Sequence, residues 1–483
     1  MAAARLNAQF RVNRQAGLGG NSGVEEFAGR LVGFSVYGDV HAVVVCALVV
    51  AAGCGDNIAI IDLYAPASGT RLKLGGYLYQ DGTRQLDPST FYDARLHAGC
   101  APVIWTDGLS RCVPGGGDTV FLDAECTMEI GRTHEPHVPA VLVRTETIAG
   151  RSIPTRAFLR GPKTETPVAN YVLREGMCEP LELDPSVKDY YLTGAVLFDD
   201  DLVAFEPSEV GDARVGLRIV TTADGLRAPV AFHDRELEIE CSPATQADGS
   251  SACVPVGVPS ATVFADQQCT EPAVAVVAPN VPAIVAAIDA TGCTSYHTLG
   301  APAAELYART ATGCNRVFTE RAFTIGAPID AAPIDRTIEA DPDRRIQRIE
   351  TTSGGLRAFD DRLYDTAMRA ECERHTKGEI SRCLPIGPPA LRVYATSRCS
   401  LELRVAEVVR PSCTEPAFAL AETEDGVDVH AIGEPYVGEL YQRDTEGGPC
   451  QLHVTPFGAK PHALGPALPI DTFLLGIKFG DRQ

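Results

Sequence analysis

Three copies of one ten-residue motif constrain the fold of this 483-residue chain more than any other feature. The motif reads FYDARLHAGC at residues 91–100, FHDRELEIEC at 232–241 and LYDTAMRAEC at 363–372. In each copy an aspartate stands seven residues before a cysteine, and a leucine or methionine stands four residues before it. Recurrence about every 136 residues indicates a chain built from three tandem copies of one structural unit.

The motif belongs to a longer shared pattern. Each copy opens with an arginine and an aliphatic residue, passes through DGTR, DGLR or GGLR, and later reaches RCVP, ACVP or RCLP. An aromatic residue five positions before a third cysteine and a tyrosine before a fourth cysteine complete the pattern. The opening pairs are Arg71-Leu72, Arg218-Ile219 and Arg348-Ile349. The pattern predicts repeats at 68–211, 212–343 and 344–483, preceded by a signal-bearing segment 1–53 and a short tether 54–67.

Local patterns within the repeat predict an all-β fold. Short apolar or β-branched runs such as RLKLGGYLY and TVFLDAEC are punctuated by Asp-Gly, Gly-Gly and proline, as is typical of strands and turns. Each repeat has two halves with room for about four strands each. Six four-stranded sheets would form a six-bladed β-propeller, and three β-sandwich-like domains are the alternative. Linkers without Ser/Gly-rich stretches favour the closed arrangement.

The N-terminal segment carries one targeting signal. An apolar run over residues 42–52 ends at Gly53 and Cys54 and is followed at once by the polar residues GDN. The run is too short to span a bilayer, which needs about 20 residues, but it has the length of a secretory signal core. It predicts a bacterial lipoprotein signal with lipidation at Cys54, although Ala51 stands where leucine is usual, and a start downstream of Met1. A buried core segment with a free Cys54 thiol is the alternative.

The cysteines support export. Fourteen follow Cys54, and an even number in an exported chain predicts up to seven disulfides. Zinc thiolate sites are disfavoured because the sequence has no C-x-x-C pair. Asp-Gly turns at 107–108 and 248–249 predict hairpins that bring the flanking cysteines within bridging range. The expected pairs are Cys100–Cys112, Cys241–Cys253 and Cys372–Cys383. The other candidates are Cys126 with Cys178, the equivalent Cys269, Cys314, Cys399 and Cys450, and Cys293 and Cys413, which have no counterpart in the first repeat.

The signal, the CGDN sequence and the repeated motifs together resemble a large set of predicted lipoproteins from myxobacteria. The resemblance covers nearly everything after Cys54. It implies an envelope lipoprotein with cysteine-containing β repeats, and it carries no activity and no catalytic residue. The third copy departs from the pattern because its hairpin lacks Asp-Gly.

Charge and motif content exclude several functions. The 63 acidic residues against 42 basic ones give a net charge of −21, which repels phosphate backbones and anionic headgroups and argues against nucleic-acid binding. The sequence contains no G-x-x-x-x-G-K, G-x-S-x-G or H-E-x-x-H motif and no dinucleotide fingerprint within a βαβ pattern. No cofactor or metal is therefore predicted, and the sequence leans against an enzyme without deciding the question.

Two unrepeated fragments could bind metals. The sequence THEPH places His134 and His137 three residues apart, but a solvated loop is the favoured interpretation. The sequence FDDDL clusters three aspartates at 199–201 without the alternating spacing of a calcium loop, so an exposed acidic turn is favoured.

Two repeated sets of residues could be functional. The recurring aspartates are candidate carboxylates, for which turn capping or pairing with arginine is the favoured role; they are Asp93, Asp234 and Asp365, with Arg84, Arg227 and Arg357 as candidate partners. The recurring tyrosines favour a core role over a binding surface; they are Tyr171, Tyr307 and Tyr441.

These observations predict a cell-envelope lipoprotein, held to the membrane by its lipid anchor only, that presents a binding surface for protein or glycan. The alternatives are an extracytoplasmic carbohydrate-active hydrolase or lyase and a purely structural envelope protein. A hydrolase needs two carboxyl groups roughly 5 to 9 Å apart, so a deep pocket with non-repeated carboxylates would favour it. A uniform surface would favour the binding protein.

Overall fold

The computed structural model describes residues 65–134, 138–148, 151–276, 281–310, 313–318, 321–377, 380–410, 413–423, 426–443, 445 and 448–479. These residues contain 36 β-strands and two short 3-10 helices, which confirms the all-β prediction. Among them no helix is long and apolar enough to cross a membrane. Residues 64–483 form one compact unit. The predicted signal and its cysteines, Cys46 and Cys54, lie outside the described residues.

Each predicted repeat contains twelve strands in the same order. The first contains β1 Leu72–Tyr79, β2 Arg84–Asp93, β3 Ala98–Ile104, β4 Ser110–Pro114, β5 Asp118–Phe121, β6 Glu129–Thr133, β7 Val141–Ile148, β8 Arg151–Thr164, β9 Asn170–Arg174, β10 Met177–Leu181, β11 Asp189–Leu197 and β12 Ala204–Val210. The second contains β13 Val215–Thr221, β14 Arg227–Asp234, β15 Ile239–Thr245, β16 Ser251–Pro255, β17 Val263–Phe264, β18 Pro272–Ala275, β19 Ile284–Ile288, β20 Thr294–Pro302, β21 Leu306–Thr310, β22 Gly313–Val317, β23 Ala322–Pro328 and β24 Ala332–Ile338. The third contains β25 Ile346–Ser353, β26 Leu356–Asp365, β27 Ala370–Lys377, β28 Ile380–Pro385, β29 Ala390–Tyr394, β30 Glu402–Val408, β31 Phe418–Thr423, β32 Gly426–Pro435, β33 Tyr441–Gln442, β34 Gln451–Leu452, β35 Lys460–Ala467 and β36 Leu475–Phe479. The 3-10 helices are Asp199–Asp201 and Ile470–Thr472.

The strands form one closed ring and three inserted sheets. In every repeat the first four strands and the twelfth lie in the ring, and the fifth to eleventh form a seven-stranded inserted sheet. The first inserted sheet has the order β10-β9-β5-β6-β11-β8-β7, and the other two repeat this order with equivalent strands. The twelfth strand of each repeat pairs with the first strand of the next, and β36 pairs with β1 to close the ring. The three repeats therefore contribute strands to one shared closed sheet. This arrangement differs from a propeller of six separate blades and from three separate sandwiches.

Three disulfides lie in the apolar core of the ring, one in each repeat. They join Cys100 to Cys112, Cys241 to Cys253 and Cys372 to Cys383, the same partners that the hairpin argument pairs. All six sulfur-bearing side chains are at most 4% exposed. The first cysteine of each pair lies in register opposite the proline of the C-V/L-P sequence, which explains why that proline recurs at a strand end.

A turn from the second repeat inserts into the core of the first. Asp224, in the turn between β13 and β14, accepts hydrogen bonds from the backbone N–H groups of Arg71 at 2.7 Å and Leu72 at 2.8 Å. Leu226, two residues later and 1% exposed, packs in one core cluster with Leu72 and Phe91. The DGLR motif is therefore a contact between repeats as well as a turn.

Equivalent turns in the other repeats make similar contacts. Asp81 accepts a hydrogen bond from the N–H of Ile346 at 2.7 Å, and the Thr83 hydroxyl donates to the Ile346 carbonyl at 2.6 Å. In the third repeat two glycines occupy the turn, and the Gly355 N–H donates to Asp212 at 3.4 Å. Here the carboxylate therefore belongs to the second repeat, which the turn contacts, and not to the turn itself. The turns link repeat 2 to 1, repeat 1 to 3 and repeat 3 to 2, which makes the arrangement cyclic.

Asp224→Ala is expected to lower the free energy of unfolding by about 2 kcal/mol, because two N–H groups at the start of β1 lose a charged acceptor. Burial raises the pKa of Asp224, but hydrogen bonds from Thr222, Leu72 and Arg71 outweigh it, and the net pKa lies below the ordinary 3.8. A carboxyl with a depressed folded-state pKa stabilises the fold above its unfolded pKa and loses that contribution as pH falls. Urea unfolding should therefore show a difference from wild type at pH 7 that shrinks at pH 3.

Asp248→Ala is the matched control. Asp248 also opens an Asp-Gly turn of the second repeat, but it caps that turn through Ser250 and is fully exposed. Its loss of stability should be the smaller of the two. Equal losses in the two variants would contradict the assignment of the Asp224 turn to an inter-repeat contact.

Candidate functional site

The recurring aspartates are buried structural groups. Asp365, in the third repeat, has a side chain 1% exposed and accepts two hydrogen bonds from the Arg345 guanidinium at 2.8 and 2.7 Å. It also accepts hydrogen bonds from the N–H groups of Ala367 and Met368, which cap the turn into β27. The other two repeats contain the same arrangement, Arg71 with Asp93 and Arg214 with Asp234. Each recurring aspartate therefore has both of the favoured roles: it caps a turn and it pairs with an arginine.

The predicted arginine partners of these aspartates are wrong. Arg84 instead lies 5.7 Å from the ring centroid of Phe479, Arg227 donates to the Ala65 carbonyl, and Arg357 pairs with Glu350. The reason is strand register. The residues directly opposite the three aspartates are Leu72, Val215 and Ile346, so the arginine before each of these lies beside the carboxylate. The opening pairs Arg218-Ile219 and Arg348-Ile349 are accordingly not equivalent to Arg71-Leu72.

The unrepeated acidic and histidine fragments are engaged in local contacts. Asp199 accepts a hydrogen bond from the Trp105 indole at 2.8 Å, and Asp201 accepts one from the Phe198 N–H at 3.0 Å. His134 lies 2.9 Å from the Ser186 hydroxyl, whereas residues 135–137 of THEPH, including His137, lie outside the described residues. Within the described part of the chain, no group of three or more His, Cys, Asp or Glu side chains could hold a metal ion.

The recurring tyrosines belong to the inserted sheets. Each lies in register opposite the recurring aromatic residue that precedes the third cysteine; the pairs are Phe121 with Tyr171, Phe264 with Tyr307, and Tyr394 with Tyr441. Two of the hydroxyls donate to a glutamate two residues away, Tyr307 to Glu305 and Tyr441 to Glu439, and these hydrogen bonds raise the pKa of both tyrosines. These tyrosines are cross-strand partners within the sheets.

The remaining cysteines also form disulfides. Within the inserted sheets the structure joins Cys126 to Cys178, Cys269 to Cys314 and Cys399 to Cys450. The two extra cysteines, Cys293 and Cys413, are joined to each other and so connect the second and third repeats. The described part of the chain thus contains seven disulfides, which indicates an extracytoplasmic location.

The contact between the second and third inserted sheets extends beyond this disulfide. The Arg410 N–H donates to the Gly292 carbonyl at 2.7 Å, beside the Cys293–Cys413 bond. Further along, the ring of Phe457 from the third repeat meets the ring of Phe264 edge to face at 5.6 Å. The Arg309 guanidinium lies within 5.6 Å of both ring centroids. Covalent, backbone and aromatic contacts therefore hold these two sheets together.

A polar cleft of about 420 Å³ lies between the edge hairpins of these two sheets. Its lining comes from the hairpin β21–β22 and from β33, β34 and the residues that follow; it consists of Thr310, Asn315, Gln442, Gln451, Leu452, His453 and Val454. Both hairpins are fixed by disulfides, through Cys314 and Cys450.

His453 is the one ionisable side chain among the lining residues. Its Nε2 atom lies 2.7 Å from Glu407 and its Nδ1 atom lies 2.6 Å from the Gln442 side-chain oxygen. The side chains of His453 and Glu407 are 11% and 13% exposed. With Nε2–H donated to Glu407, a neutral ring accepts at Nδ1 from the Gln442 amide, and an imidazolium donates to the Gln442 carbonyl. In either state the pair orients the Gln442 amide at the cleft.

The cleft breaks the threefold repetition of the chain. His453 stands three residues after the last shared cysteine of its repeat, and the same position holds Leu181 in the first repeat and Val317 in the second. The disulfide between Cys293 and Cys413 likewise has no counterpart in the first repeat. The sequence contained this signal, because an apolar residue in two copies is replaced by histidine in the third.

The lining chemistry restricts the ligand. The Thr310 hydroxyl and the amides of Asn315, Gln442 and Gln451 offer both hydrogen-bond donors and acceptors, while Leu452 and Val454 add apolar surface. Among the described lining residues there is no lysine, arginine or carboxylate. Such a surface complements a neutral molecule that carries both apolar faces and hydrogen-bonding groups. The Glu407 carboxylate is hydrogen-bonded to His453.

Residues 48–473 match a family of unknown function, DUF7481, and the chain belongs to this family. The match covers most of the chain, and the family has no assigned activity. No curated protein and no solved structure matches the chain.

Proposed function

We propose that this protein is a lipid-anchored binding protein of the bacterial cell envelope, and that the cleft between its second and third inserted sheets binds a neutral glycan. The observation that carries the proposal is the asymmetric polar cleft, in which one repeat replaces an apolar residue by His453. Sugar hydroxyls both donate and accept hydrogen bonds, and they complement a lining of amides and a hydroxyl. The seven disulfides, the signal that ends at Cys54 and the resemblance to myxobacterial lipoproteins support the envelope location.

His453→Leu is expected to weaken glycan binding at least tenfold, because it frees the Gln442 amide and leaves Glu407 without its partner. The measurement is titration calorimetry with neutral hexasaccharides of β-1,4-linked glucose, α-1,4-linked glucose and β-1,4-linked N-acetylglucosamine. His462→Leu is the matched control, since His462 is partly exposed and contacts the Gly433 carbonyl away from the cleft lining.

Two results would overturn this proposal. One is the absence of binding by every hexasaccharide to the wild-type protein, and the other is equal binding by the two variants. Shortening of a hexasaccharide during incubation would instead indicate a carbohydrate-active hydrolase and would also overturn the binding proposal.

A further inference from the structure

A row of exposed aliphatic side chains crosses the ring where its last strand closes on its first. The row runs in register through Lys377, Ile380, Ile477, Leu78 and Arg84, on the neighbouring strands β27, β28, β36, β1 and β2. Directly paired residues point to the same face of a sheet, so the five side chains form one line. We call this line the closing row. Its three aliphatic members are 53%, 63% and 40% exposed, in the order Ile380, Ile477 and Leu78.

Two of the three aliphatic positions are polar at the other two repeat boundaries. Where the closing row pairs Leu78 with Ile477, the boundary between repeats 1 and 2 has Glu206 opposite Thr221. The boundary between repeats 2 and 3 has Asp335 opposite Thr352. The position of Ile380 is less distinctive, since the first repeat has the exposed Leu109 there. An acidic residue and a threonine suit a solvated sheet face, so the fold does not require the apolar pair Leu78 and Ile477.

We propose that the closing row is a membrane-contact surface that lies against a bilayer containing anionic lipid. Aliphatic side chains flanked by cations suit the boundary between headgroups and acyl chains, where Lys377 and Arg84 can reach phosphate groups. The whole chain is acidic, but charges beyond about 10 Å are screened at physiological salt, so the distant acidic residues oppose this contact only weakly. Each cation near an anionic surface raises membrane partitioning about fivefold.

A lipid anchor at Cys54 would hold the folded part close to a bilayer. Eleven residues lie between Cys54 and Pro66, and an extended chain of that length spans at most about 40 Å. A contact surface on the folded part would fix the orientation of the anchored protein on the bilayer. This inference rests on the anchoring part of the proposed function and is independent of the glycan cleft.

The experiment uses the processed full chain reconstituted on vesicles that contain brominated phosphatidylcholine with 30 mol% phosphatidylglycerol. Leu78→Trp places a reporter in the closing row, and Thr352→Trp places the same reporter at the equivalent polar boundary between repeats 2 and 3. The single native tryptophan, Trp105, is 3% exposed and is common to both proteins. Bromine should quench the reporter of the Leu78→Trp protein at least twofold more than that of the Thr352→Trp protein. Adding Ile477→Glu, which copies the polar boundary, should abolish the difference.

The outcomes separate the row from the anchor. Palmitate labelling that is unchanged in Cys54→Ala refutes the anchor. The closing row is then tested by the quenching experiment alone. Labelling lost in that variant, together with equal quenching of the two reporters, refutes the row alone. Sedimentation of the wild type as a dimer that Leu78→Thr with Ile477→Glu converts to a monomer would assign the row to a second copy and also overturn the proposal.

Discussion

Arg345→Met is expected to lower the free energy of unfolding by about 3 kcal/mol. The substitution keeps the length of the side chain but removes both hydrogen bonds to Asp365, whose side chain is 1% exposed. A buried carboxylate without its cation carries a large desolvation cost, and removal of one member of such a pair typically costs about 3 to 5 kcal/mol. The lower end applies here because the Ala367 and Met368 N–H groups still bond to the carboxylate.

Glu350→Gln is the matched control for this change. Glu350 pairs with Arg357 on the same two strands, β25 and β26, but the Arg357 side chain is 60% exposed. An exposed ion pair contributes about 0 to 1 kcal/mol, so this variant should unfold near the wild-type urea midpoint. A loss as large in the control as in Arg345→Met would mean that strand disruption, and not the buried ion pair, explains the effect.

The repeat and much of its covalent framework follow from the sequence because they depend on local spacing. A cysteine, an Asp-Gly turn and a second cysteine about twelve residues on define a hairpin, and the structure joins Cys100 to Cys112 in that way. Repetition made these inferences secure, since three copies of a pattern exclude chance better than one.

The features that the sequence could not supply depend on contacts between repeats or on strand register. Pairing of β36 with β1, about 400 residues apart, closes the ring, and no local pattern marks it. Cys293 and Cys413 could be recognised as extra residues but not as partners, because their contact requires the second and third sheets to meet. Arg84 cannot be the partner of Asp93 because both residues lie on β2, nine residues apart, whereas Arg71 precedes the residue paired with Asp93 on β1.

The site could be found from the sequence only in part. The replacement of an apolar residue by His453 in one repeat was visible, but Glu407 lies 46 residues upstream and reaches His453 through the fold of the inserted sheet. The amides of Asn315 and Gln442 come from different repeats, so their convergence depends on how two sheets pack. Solvated asparagine and glutamine residues are common on strands, and nothing in the chain distinguishes these two beforehand.

Replacing both Cys293 and Cys413 by alanine is expected to lower the free energy of unfolding by about 4 kcal/mol and also to weaken the cleft. The disulfide closes a loop of 120 residues, and loops of about 100 residues correspond to about 4.7 kcal/mol in the chain-entropy description. The Cys372–Cys383 bond shortens that loop, so the loss should be slightly smaller. Guanidinium unfolding measures the first effect, and hydrogen exchange at the Arg410 and Thr294 amides, which bond between the two repeats, measures the second.

Replacing both Cys126 and Cys178 by alanine separates stability from the geometry of the cleft. These cysteines are also partly exposed and close a loop of 52 residues in the first inserted sheet, so their loss should destabilise the protein by a similar amount. This variant should nevertheless retain slow exchange at the Arg410 amide and wild-type glycan affinity. The Cys293/Cys413 variant should exchange faster there and bind glycan about tenfold more weakly, because its two cleft walls are no longer held by a covalent bond. Equal exchange and affinity in the two variants would show that the aromatic contact of Phe264 with Phe457 holds the cleft walls without the disulfide.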